Sequence, residues 1–120
     1  PVAMPPTLPP ALAPLVLAGA GLMPGDLRLA AALTDQQLAW ALRLVPQVLA
    51  LGQGEALLVM DAPHLRLGIA CHGGGAWLVE RSAKYDVIWP PTFSAEAAPL
   101  YAAALIAGVW SPGESHRWAT

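Results

Sequence analysis

Between Glu55 and Arg81 the apolar residues stop recurring at helical spacing and begin to alternate, running EALLVMD, APH, LRLGIAC, three glycines and AWLVER. An alternation of period two sends successive side chains to opposite faces of an extended chain, which a helix cannot use. The pattern predicts three short antiparallel strands joined by tight turns. In the second strand Leu65, Leu67, Ile69 and Cys71 share one face, and Arg66, Gly68, Ala70 and His72 share the other. The first strand is apolar on both faces, which predicts a central or doubly covered position. A fourth strand is expected at 85–89, YDVIW, stopped by Pro90 and Pro91 and therefore at a sheet edge.

Helical spacing appears on either side of this block. Thr34 with Gln37 forms a capping-box pattern, and Leu38, Ala41, Leu42, Val45, Val48 and Leu49 follow as one apolar stripe. The pattern predicts a helix over 35–51, kinked or divided at Pro46 and stopped at Gly52. A second main helix is expected over 95–109, started by Ser94 and Glu96 or by Pro99, with a face made almost wholly of Ala, Leu, Ile and Tyr. MPGD at 23–26 reads as a turn, and 27–33 fits a strand or a helical turn equally well. Five prolines in the first ten residues, PVAMPPTLPP, predict an extended arm, followed by a short helix over 11–22 weakened by Gly19 and Gly21. The tail 111–120 is polar and expected to fray. The fold class expected is α+β, with a small antiparallel sheet of three or four strands packed against two main helices. The 120 residues form a single domain in this reading.

The charge count limits the surface. Asp, Glu, Lys and Arg make up 12% of the chain, about half the roughly 25% of an average soluble domain, while apolar residues reach 56%. Some apolar surface is therefore expected to be covered by another chain. A membrane is not expected to cover it: no run of about 20 uninterrupted apolar residues occurs, the longest being broken by Pro14 or containing Pro99. A net charge of −2 and scattered basic residues argue against nucleic acid as a partner. The first basic residue is Arg28, so the sequence lacks the basic start of a signal peptide, and a lone cysteine is compatible with a reducing compartment; the expected location is cytoplasmic.

The stretch IACHGGGAWL at 69–78 carries the one suggestive group of reactive residues. A thiol attacks as thiolate and needs a base or cation beside it, yet neighbours on a strand point to opposite faces, so Cys71 and His72 do not form a dyad there. HGGG resembles the oxyanion loop of some esterases, but the GxSxG elbow that accompanies it is missing. A hairpin turn explains the glycines, which supply positive φ. His64, His72 and His116 lack metal-ligand spacing, and no cofactor is expected. Pro1 resembles the amino-terminal proline of the tautomerase superfamily, whose first strand would have to pass through Pro5, Pro6, Pro9 and Pro10 here.

The function expected is a non-enzymatic protein-interaction module: a small adaptor, chaperone-like or assembly subunit, docking on a protein partner or on itself as a homodimer. Its layout of helix, meander and helix is similar to that of small acidic secretion chaperones. Five tryptophans stand against a single phenylalanine, and tryptophan is enriched among interface anchors. The expected contact residues are Trp89, Pro90, Pro91, Pro5, Pro6 and Trp110, with Trp40 and Trp77 assigned to the core. The alternatives are a small enzyme or ligand-binding domain using Cys71, His72, Glu80 and Asp86, and a structural subunit of a larger phage or secretion assembly.

Overall fold

A computed structural model describes residues 21–63, 65–81 and 86–111, with side chains described to 80 and again from 93. The expected arm at 1–10, the helix at 11–22 except its last two residues, and the tail beyond 111 lie outside the described residues. Within them the order is α1 (Pro24–Ala31), α2 (Asp35–Leu49), β1 (Ala56–Ala62), β2 (Leu65–His72), β3 (Gly75–Arg81), β4 (Asp86–Phe93) and α3 (Ala98–Ala107). The class is α+β, with an antiparallel sheet in the order β1-β2-β3-β4.

Among the described residues three helices are present where two main ones were expected. Pro24 sits in the first turn of α1, where its missing N–H has no helical partner to lose, and Asp26 reaches back to accept the Met23 amide at 2.7 Å. A residue pattern that reads as a turn thus opens a helix. The capping box of α2 forms as expected: Thr34 Oγ1 accepts from the Gln37 amide at 3.1 Å, and Gln37 Oε1 accepts from the Thr34 amide at 2.8 Å. Pro46 does not divide α2, which runs unbroken to Leu49. Pro46 is exposed, so its ring lies on the solvent side of the helix.

The sheet differs from expectation at both edges. β4 continues through Pro90 and Pro91 to Phe93, because the prolines fall in an irregularity where the ladder skips between Ala76 and Leu78 and needs no amide donor. β1 is an edge strand, not a central one, and its Leu58 is 54% exposed. The hairpin between β2 and β3 turns on Gly73 and Gly74, at φ +62° and +81°. Positive φ at both central residues is the twist-matched two-residue turn, and only glycine adopts it freely. Gly74→Ala is expected to lower stability by about 1–2 kcal/mol, read as a shift of the urea midpoint with an unchanged slope.

α3 sits in the middle. Ala98, Pro99, Leu100, Tyr101, Ala102, Ala103 and Ala104 are all buried. A helix apolar on every side is stable only when covered on every side, and α3 is packed by α2 and α1 and by β2 and β3. Small alanines bring these layers close. The sheet contributes Leu67, Ile69, Ala76, Leu78 and Phe93 to a core shared with Leu29, Leu38, Ala41 and Val48. Register places Ile69 opposite Leu78 and Cys71 opposite Ala76, so these residues share the helix-facing side.

Candidate functional site

Beyond its last turn α3 ends on Gly108 in the left-handed conformation, φ +74°, and the Val109 amide returns to the Ala104 carbonyl at 2.9 Å. This reversal folds the chain back under the helix. Trp110, expected as a surface anchor, is consequently 2% exposed. Its ring lies edge-on to Tyr101 at 5.1 Å and to Phe93 at 6.0 Å, so the indole fills the core and offers no area to a partner.

Tyr101 belongs to a buried polar pair. Its hydroxyl donates to Asp26 Oδ1 at 2.8 Å, and the other carboxylate oxygen takes the Met23 amide. Burial raises the Asp26 pKa, and the two hydrogen bonds offset only part of that rise. Tyr101 is also raised, by burial first and then by the Asp26 charge. The pair joins α1 to α3 with its donors and acceptors satisfied, which is the arrangement a buried carboxylate requires.

The reactive-looking residues of β2 diverge. Cys71 is half-buried on the helix side, whereas His72 is exposed, its Nδ1 3.1 Å from Gln53 Nε2. Glu80 pairs with Leu67, four residues from Cys71 along β2, a separation of about 13 Å at strand rise. The Asp86 side chain lies outside the described part. Among the described residues no group of three His, Cys, Asp or Glu has the placement of a metal site.

An open cleft of about 560 Å³ lies between the start of α2, the end of α3 and β1. Trp40, Val59, Met60, Ala103, Ile106 and Ala107 give it apolar walls, and Thr34, Gln36 and Gln37 give it a polar rim. Trp40, assigned to the core from its sequence, is half-buried and forms one wall. Thr34 holds α2 in its capping box, so its hydroxyl is already engaged. Every described lining residue is uncharged at any ordinary pH. Trp77 is half-buried too, its indole N–H donating to the His72 carbonyl at 3.2 Å.

Of the other expected contact residues, the side chains of Trp89, Pro90 and Pro91 lie outside the described part, as do Pro5 and Pro6 altogether. The backbone places Trp89 opposite Leu78 in the sheet. The cleft residues were missed because α2 reads as a single apolar stripe, and its flank of Gln36, Gln37 and Trp40 acquires a meaning only when α3 and β1 are set beside it. No protein family matches the chain, and neither a curated protein nor a solved structure matches it. Among the described residues no helix is long and apolar enough to cross a membrane.

Proposed function

We propose that this chain is a non-enzymatic protein-interaction module, a small adaptor, chaperone-like or assembly subunit, and that the cleft beside Trp40 receives an uncharged apolar segment of its partner. The observation that carries this reading is the lining of the cleft. Proton transfer, nucleophilic attack and metal binding need ionisable or ligating side chains around one concavity, and the described walls here carry an indole, aliphatic groups, two amides, the Met60 thioether and the Thr34 hydroxyl, which the capping box engages and no described base in the lining activates. An indole in an apolar hollow suits a hydrophobic anchor, and the Gln36 amide, with the Gln37 NH2 that the capping box leaves over, can satisfy the backbone of an extended peptide without favouring either sign of charge. The same lack of charge disfavours a phosphate-bearing partner. In this reading the arm with Pro5 and Pro6, and the strand with Trp89, Pro90 and Pro91, form a second contact region on the same partner.

The test is selection from a displayed library of random twelve-residue peptides on the immobilised protein. Winning sequences are expected to be uncharged and apolar, and Trp40→Ala is expected to weaken their binding at least tenfold, since truncating an interface tryptophan commonly costs about 2 kcal/mol. Trp40→Phe, which keeps an aromatic wall, should retain most of the affinity. Charged winners, or winners indifferent to Trp40→Ala in a protein with an unchanged thermal melt, would overturn the reading.

A further inference from the structure

We propose that β1 is the edge through which two copies of this chain join, pairing antiparallel about a two-fold axis at Leu57 to make one continuous eight-stranded sheet. This goes beyond the cleft reading and does not rest on it, because it uses the backbone of β1.

The hydrogen bonds of the β1–β2 hairpin show which groups are free. The Cys71 amide donates to the Glu55 carbonyl at 2.9 Å, so Glu55 faces β2. Antiparallel residues alternate between facing their partner and facing away. Leu57, opposite Ile69, therefore also faces β2, and Ala56 and Leu58 turn their N–H and C=O groups outward. Among the described residues no strand lies beyond β1 to receive them. Ala56 and Leu58 are both exposed at this edge, Leu58 with 54% of its surface. Asp61 and a skip in the ladder between Leu58 and Met60 guard the far end of this edge, but the stretch 56–58 carries no charge and pairs regularly with β2, and an unguarded stretch of this kind invites another strand.

The choice of a second copy follows from the two edges being unlike. β4, at the far side of the sheet, contains Pro90 and Pro91, which have no amide hydrogen. Joining β1 of one copy to β4 of the next would lack those donors, and that head-to-tail arrangement is the one that would grow into a fibre. Pairing β1 with β1 closes at two copies. Charge then selects the register. Centring the pair on Leu58 would set Asp61 opposite Glu55, two carboxylates face to face, which is destabilising. Centring it on Leu57 sets Ala56 of each copy opposite Leu58 of the other, both pairs exchanging two N–H···O bonds. Glu55 then faces Val59, and Leu57 meets its own counterpart on the helix side of the sheet, where the chain is already apolar.

Sedimentation equilibrium with two variants tests this. The wild-type chain is expected at twice its 12.5 kDa mass at tens of micromolar. Leu58→Pro is expected to sediment as a monomer with unchanged far-ultraviolet circular dichroism, because the amide it removes points away from β2. The second arm is Leu57→Cys in a Cys71→Ser background, left with a single thiol. The two Leu57 positions form a non-hydrogen-bonded pair, about 4.5 Å apart at Cα and within disulfide reach, so mild oxidation should give mostly a cross-linked dimer. If Leu58→Pro does not fold, the cross-link decides. A wild-type monomer at 100 micromolar overturns the proposal. So does a dimer that survives Leu58→Pro, or a Leu57→Cys dimer that mild oxidation fails to cross-link, since either result assigns association to another surface. Neither result bears on peptide binding at Trp40, which the displayed library reads separately.

Discussion

Trp110→Ala is expected to destabilise the fold by about 4 kcal/mol, the usual cost of truncating a fully buried aromatic residue to alanine. For a domain of this size that is a fall in Tm on the order of 20 °C. The indole closes an aromatic cluster with Phe93 and Tyr101 and lies under the reversed end of α3. Trp110→Phe separates shape from polarity. Its indole nitrogen is buried without a hydrogen-bond partner, so the phenyl ring loses volume but sheds an unpaired N–H, and the net cost should stay near ~1–2 kcal/mol. Thermal and urea unfolding of both variants check the assignment. If Trp110→Ala melts like the wild type yet weakens association, the indole is a contact residue after all.

That residue shows how far the sequence could be read. The word LIAGVW at 105–110 holds the signature of a helix stopped by a left-handed glycine and followed by an apolar residue that packs back on the helix. The signal was present, but proximity to a polar tail outweighed it. The glycine-rich turn was legible for the opposite reason: a two-residue hairpin has few solutions, Gly73 and Gly74 satisfy one of them, and strand alternation then separates Cys71 from His72 without further information. β1 misled because ALLVM is apolar on both faces whether it is covered by its own chain or left for another. Local composition specifies that a surface is to be buried, not by what.

The helices divide in the same way. Asp35–Leu49 announced itself through Thr34, Gln37 and a stripe of apolar residues, all local features. Pro24–Ala31 did not, because MPGD is a turn in isolation, and its helix is secured by Tyr101, 75 residues away from Asp26 in the chain. The cleft required three elements at once and is not encoded in any one of them.

Asp26→Ala is the second substitution with a large expected effect, about 3 kcal/mol, since it strands the buried Tyr101 hydroxyl and removes the acceptor for the Met23 amide. Asp26→Asn is expected to behave differently. Its carboxamide oxygen can take the Met23 amide while its nitrogen donates to the tyrosine oxygen, so both hydrogen bonds survive with one reversed, and the charge no longer has to be buried. The wild-type carboxyl, raised above its usual 3.8 by burial, holds its proton more tightly when folded than when unfolded. Its contribution is therefore greatest below pH 3.8 and declines as pH rises through the folded value, then stays level. Tyr101 has the same sign at the alkaline end: its folded pKa is raised, chiefly by burial and next by Asp26, so stability is lost above pH 10 as the unfolded tyrosine ionises. Asp26→Asn should flatten the acid slope and reduce the alkaline loss together, because one carboxylate underlies the first and part of the second. Urea unfolding from about pH 4 to about pH 11 on wild type and variant measures both. A variant that flattened neither limb would mean that Asp26 meets water in the folded chain and that α1 is held to α3 by its apolar residues Leu27, Leu29 and Ala30 alone.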